Sequence, residues 1–137
     1  MNDNDWEIVW SDFLTVGVPE MDAEHRKFIA RVNGLSAAIL GAEDKATVRR
    51  VMDLMLTEAA HHFRHEQELL DERNYPDAEV HAAKHIELTV QFNRVMNGFD
   101  EAEFSFVWAV KGLQLKKLLV EHLLKEDLKY RSFLQAQ

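Results

Sequence analysis

The chain contains no cysteine, which excludes disulfides, thiolate metal ligands and iron–sulfur clusters built on its own side chains. Proline and glycine are scarce, two and five in 137 residues, so little interrupts long regular segments. No stretch approaches the ~18 uninterrupted apolar residues of a membrane span, and the chain reads as something other than an integral membrane protein. Positive charge is in the minority: 16 Lys and Arg stand against 24 Asp and Glu, for a net charge of −8 and a pI near 5.3. Nucleic acid and anionic lipid surfaces both reward basic patches, so neither is an expected partner. Met1, Asn2, Asp3, Asn4 and Asp5 supply neither the basic residues nor the apolar run of a secretion signal, and the expected address is cytoplasmic.

What is present suits one domain over residues 1–137, with a hydrophobic fraction of 47% and length enough for a single core. Breaks fall at Gly17 and Pro19, at 41–44, at 74–77 and at 97–100. Between them, 20–40, 45–72, 78–97 and 103–134 carry apolar residues at three- and four-residue intervals, the period of a helix with one buried face. Short connections make successive helices antiparallel. The expected fold is therefore all-α: an up-down-up-down four-helix bundle over 20–134 behind a non-helical N-terminal arm, 1–19. Trp6, Ile8, Trp10, Phe13 and Val16 are irregularly spaced in that arm and are expected to strap across the bundle.

Polar groups interrupt all four apolar stripes. The first runs Met21, His25, Phe28, Ile29, Val32, and the second Met52, Met55, Ala59, His62, Glu66, Leu69. The third runs Ala78, His81, His85, Leu88, Phe92, and the fourth Leu115, Leu118, Leu119, His122. His62 and Glu66, like His81 and His85, are four apart and share a helix face. A buried carboxylate such as Glu66 is costly unless it is paired or bound to a metal. In an antiparallel bundle all of these groups reach the same end. One core-facing histidine is more often a packing residue than a ligand; four helices each supplying ligand-type groups at one depth point to a metal centre. Imidazole and carboxylate sets suit iron, zinc, copper or manganese.

The last ligand is open on geometry. Asp127 follows His122 by five residues, about 140° away on a helix of ~3.6 residues per turn, and would face the site only if the helix widened locally, as in a π-bulge. Glu126, four residues on, obeys the ordinary rule and is favoured by spacing. His61 and His65 lie off the ligand face and are expected to be solvated. Phe28, Leu118 and Leu119, one turn from ligands, are expected to keep the pocket dry.

The order His25; His62, Phe63, Glu66; Asn74, Tyr75, Pro76; His81, His85; His122, Asp127 resembles the hemerythrin family, especially its single-domain bacterial members, the bacteriohemerythrins. Trp10, the Val16-to-Val18 step and Met21, Asp22, His25 are similar to that family's opening. The likeness covers almost the whole chain. It implies a non-haem diiron centre: His81, His85 and His122 on one iron, His25 and His62 on the other, and Glu66 and Asp127 bridging both beside an oxo or hydroxo group. It thereby selects Asp127 over Glu126. Gln67, where many relatives carry an acid, and the less usual His65 are its departures. Such a set leaves one coordination position open, on the iron with two histidines, where dioxygen would bind. The resemblance implies reversible dioxygen binding for transport, storage or delivery to an oxygen-consuming recipient protein, not catalysis. The competing expectations are a diiron oxidase or peroxidase, and an oxygen sensor acting through a separate partner.

Overall fold

The computed structural model describes residues 8–136, so Trp6 lies outside the described residues. Four long helices carry the fold: α1 (Pro19–Leu40), α2 (Lys45–Glu72), α3 (Ala78–Glu101) and α4 (Ser105–Lys125). A 3-10 turn (Asp127–Tyr130) and a short α5 (Arg131–Gln135) follow. No strand occurs among the described residues. Each long helix packs on its neighbours around the ring, α1 on α2 and α4, α3 on α2 and α4, and the short links make the bundle antiparallel. Among the described residues no helix is long and apolar enough to cross a membrane.

Local chemistry fixes the ends. Pro19 occupies the first turn of α1, where its missing N–H costs nothing. Asp44 caps α2 by accepting from the Thr47 N–H at 2.8 Å. The expected break at 97–100 does not occur; α3 continues through it to Glu101. Phe99 explains this, because it extends the stripe Leu88, Phe92, Val95 and is fully buried, edge-on to Trp108 with centroids 5.8 Å apart. Gly98 marks a close approach rather than a turn: a Cβ there would lie 2.8 Å from Lys111 Cε on α4.

The fourth segment differs in the opposite sense. Expected as one helix over 103–134, it stops at Lys125 and resumes as a 3-10 turn. No widened turn lies between His122 and Asp127; Glu126, the C-cap, still donates its N–H to His122 O at 2.8 Å, and the chain then tightens.

Among the described residues of the arm, from Ile8 on, one 3-10 turn forms at Asp12–Leu14 between extended caps. Leu14, Val16 and Val18 are buried, and Ile8 and Trp10 pack partly against Leu14, Ile29 and Leu123. Phe13 does not strap the core as expected. The turn that directs Leu14 inward leaves Phe13 68% exposed, with the Arg131 guanidinium over its ring. Asp22 anchors the arm to α1, accepting from Thr15 Oγ1 at 2.5 Å and from the Val16 N–H at 2.8 Å. At Gly17 the backbone takes φ +84°, a left-handed turn that glycine adopts without strain.

Two apolar clusters bracket one polar layer. Val32, Met52, Met55, Ala59, Phe63, Leu88 and Leu119 belong to the larger cluster on one side. Val16, Met21, Leu70, Tyr130 and Leu134 form the smaller one on the other.

Candidate metal centre

The polar layer is made of His25, His62, Glu66, His81, His85, His122 and Asp127, and all seven are buried. His25 comes from the start of α1, His62 and Glu66 from the last turns of α2, His81 and His85 from the first turns of α3, and His122 from the end of α4. The antiparallel topology brings these ends together. Asp127 enters from the 3-10 turn and is 2% exposed, whereas the neighbouring Glu126 carboxylate pairs outward with Lys129 Nζ at 3.2 Å. The helical rule that favours Glu126 fails because α4 has already ended.

These side chains form two overlapping groups. Glu66, His81, His85, His122 and Asp127 make one; His25, His62, Glu66 and Asp127 make the other. In each, one ligand atom per residue lies within 4.8 Å of all the others, and the two carboxylates belong to both. His25 Nε2 and His62 Nε2 are 3.0 Å apart. Glu66 Oε2 lies 3.2 Å from His62 Nε2 and 3.5 Å from His25 Nε2. On the other side, Glu66 Oε1 is 2.6 Å from His81 Nε2 and 3.1 Å from His85 Nε2.

The donor set fits metal ions better than it fits itself. His122 Nε2 is 3.0 Å from Asp127 Oδ1, yet neither atom has a hydrogen-bond partner, and His85 Nε2 also has none. Close polar atoms that are misaligned for hydrogen bonding share a point toward which they converge. Buried unsatisfied groups are rare and costly, and a cation at that point would satisfy them together.

Protonation follows the same pattern. Burial pushes the Glu66 carboxyl up, as does the nearby Asp127 charge, but the imidazoles of His25, His62 and His81 beside it outweigh both and hold it well below the usual range. Burial likewise opposes ionisation of Asp127, and His122, His25 and His62 more than reverse it. Burial disfavours charge on His81, but Asp127 and Glu66 raise its imidazole to about 9. His62 is also raised well above its ordinary value against the cost of burial, by Asp127, Glu24 and Glu66. Burial prevails at His85 and lowers it. The two acids are thus favoured as carboxylates and the imidazoles beside them as proton holders, and a metal would compete with those protons.

Apolar groups seal the layer. Phe63 stacks on His85 with centroids 4.1 Å apart and planes at 13°, and Phe28 meets His62 edge-on at 5.4 Å. A cavity of about 20 Å³ lies against Asp127 and His122, walled by Phe28, Ile29, Val32, Phe63 and Leu119. Of the three side chains expected to keep a pocket dry, Phe28 and Leu119 line this cavity. Leu118 does not: it is half-buried and lines a shallow surface depression with Leu88 and His122.

Three further side chains touch the ligands or their partners, and two of them, Tyr130 and Glu24, were not foreseen from the sequence. Tyr130 is fully buried and donates its hydroxyl to Glu66 Oε2 at 2.6 Å. Glu24 accepts from His62 Nδ1–H at 2.8 Å. His65 is 41% exposed, in keeping with a solvated side chain, and also donates from Nδ1 to the other Glu24 oxygen. The only sequence signal for the last pair is that His65 follows His62 by three residues and so borders the ligand face. His61 is exposed, as expected. Gln67 donates to the Ala78 carbonyl at 3.0 Å and to Asp71 Oδ1 at 3.1 Å, joining α2 to α3 in a way an ionised acid could not.

Residues 16–134 match the family model described as the hemerythrin HHE cation binding domain. A bacteriohemerythrin of Stenotrophomonas maltophilia (strain R551-3) is 33% identical over 78 residues, 57% of this chain and 50% of that protein; the match thus spans half of that relative's length. A hemerythrin-like protein of Naegleria gruberi is 26% identical over 125 residues, covering 91% of this chain and 92% of its own. A bacteriohemerythrin of Pseudomonas aeruginosa (strain LESB58) is 26% identical over 130 residues, 90% of this chain and 78% of that one. With a family match running from the arm to α5 around a buried histidine and carboxylate layer, the chain belongs to the hemerythrin family.

Proposed function

We propose that the centre holds two iron ions and binds dioxygen reversibly, for transport, storage or delivery. In this reading His81, His85 and His122 hold one iron, His25 and His62 the other, and Glu66 and Asp127 serve both. The observation that carries it is the pair of overlapping ligand groups sharing two carboxylates beside a small, almost wholly apolar cavity. Bound iron supplies the redox chemistry by which dioxygen is taken up and released. The chain supplies the rest. Phe28, Phe63 and Leu119 exclude water from the cavity, whose volume of about 20 Å³ only slightly exceeds the ~10–15 Å³ that one water requires and suits a diatomic molecule. Among the residues lining that cavity only His122 and Asp127 are polar. No proton donor other than these ligands faces it, which favours release of dioxygen unchanged over its reduction.

The test is anaerobic loading with ferrous iron, metal analysis, and optical spectra through cycles of air and vacuum. Two irons per chain and a visible band that appears in air and vanishes under vacuum support the carrier reading. A band that decays irreversibly, or sustained consumption of a reductant, would replace it with an oxidase or peroxidase.

A further inference from the structure

His62 is held differently from its partner His25. Its outer nitrogen, Nδ1, donates to Glu24 Oε1 at 2.8 Å, whereas His25 Nδ1 has no hydrogen-bond partner. With Nδ1 donating, Nε2 is the nitrogen that would give up its proton to a metal, and it faces His25, Glu66 and Asp127. Glu24 thus sets which nitrogen His62 presents inward.

A carboxylate in that place is itself in need of support. Glu24 sits at the rim of a depression of about 400 Å³ between α1 and α2, with Lys27, Glu58 and His61 around it, and its side chain is 22% exposed. A glutamate with one fixed contact and access to water gains little by staying put, since ordering its side chain costs rotamer freedom. Here the second oxygen is also committed. His65 Nδ1–H donates to Oε2, one turn along α2 from His62, so both oxygens bind one helix while the backbone belongs to the other. Lys27, the nearby cation, pairs with Glu58 at 3.8 Å.

We propose that His65 is a positioning residue for the half of the centre formed by His25, His62, Glu66 and Asp127. Acting through Glu24, it keeps His62 Nε2 directed inward and favours loading of that four-ligand position over what His62 alone would give. The inference rests on the two-metal reading above. It predicts an effect on one position only, because the group of Glu66, His81, His85, His122 and Asp127 contains neither His62 nor any contact with Glu24.

Cobalt(II) titration of the full chain, followed by visible absorption and calorimetry, tests this with three variants. Wild type is expected to fill in two steps. His65→Leu removes the donor, and Glu24→Gln leaves one acceptor oxygen for two imidazoles. Each should weaken the weaker step about tenfold or more, in line with the ~10–100-fold typical of residues that orient metal ligands, and leave the tighter step unchanged. His65→Asn places an amide nitrogen where Nδ1 stood and should remain within about threefold of wild type, below that ~10–100-fold range. If wild type takes up no second cobalt ion, the two-metal reading fails and the inference falls with it. If wild type fills both steps, three results overturn the role of His65 alone: His65→Leu matching wild type, His65→Leu weakening both steps equally, or His65→Asn failing as His65→Leu does.

Discussion

Replacing Tyr130 with phenylalanine removes one oxygen atom from the floor of the metal layer and little else. The Tyr130 hydroxyl donates to Glu66 Oε2 at 2.6 Å, and both residues are fully buried. A hydrogen bond to a charged group contributes ~1.5–3 kcal/mol. Glu66 Oε2 keeps His62 Nε2 at 3.2 Å and His25 Nε2 at 3.5 Å, so the oxygen is not orphaned. The loss should fall in the lower part of the range, about 1.5–2 kcal/mol. With an unfolding entropy of ~2.1 cal/mol/K per residue, a chain of 137 residues would then melt about 5–7 °C lower. The measurement is thermal and urea unfolding of chelator-treated wild type and variant. Tyr75→Phe is the control: it keeps its ring contacts with Tyr130 and Phe133 and should stay within ~0.5 kcal/mol of wild type, as ordinary substitutions away from special features do. A Tyr130→Phe variant as stable as the control would refute the view that this hydroxyl secures the shared carboxylate.

The metal-free protein should lose stability as pH rises. Folded-state pKa values of His25, His62 and His81 are raised, so their contribution is complete below about 6.5, the unfolded value, and is lost as pH rises through each folded-state value, about 9 for His81. At ~1.4 kcal/mol per pKa unit, a shift from 6.5 to about 9 at His81 caps its share at about 3–4 kcal/mol. Glu66 and Asp127, depressed in the folded state, contribute above about 4, their unfolded range, and lose that contribution as pH falls further. Urea midpoints at pH 6, 7.5 and 9 check the upper limb, and metal-loaded protein should show the opposite slope because metals bind deprotonated ligands. Gly17→Ala should cost about 1–2 kcal/mol, the usual penalty of a left-handed backbone for an L-residue, and its new Cβ would also press on Gln135 Cγ at 3.2 Å; chemical denaturation measures it. Phe63→Ala should cost ~3–5 kcal/mol as a large-to-small core change, and it should admit water beside His85, shortening the lifetime of any oxygenated form measured by stopped-flow.

Groups on one helix were legible in the sequence, and groups that meet only through the fold were not. His62 with Glu66 and His81 with His85 could be paired because a helix puts residues four apart on one face. His25 gained meaning only from the depth it shares with the others. The choice between Glu126 and Asp127 could not be made from periodicity, since it depends on where α4 stops. Tyr130 was hidden for the same reason, lying beyond the change to a tighter turn. Glu24 and His65 belong to different helices, and no spacing rule links them. Gly98 read as a break because nothing in its local sequence reveals that Lys111 of another helix lies against it.

The two margins of the bundle are fastened to one another beneath the metal layer. Arg131 donates to the carbonyls of Phe13 and Thr15, and Gly17 lies against Gln135. Trimming the chain after Tyr130, or fusing a bulky partner close to Gly17, would therefore loosen Asp127 without touching a ligand. Shortened or tagged versions intended only for crystallisation or purification should be compared with the full chain for metal uptake.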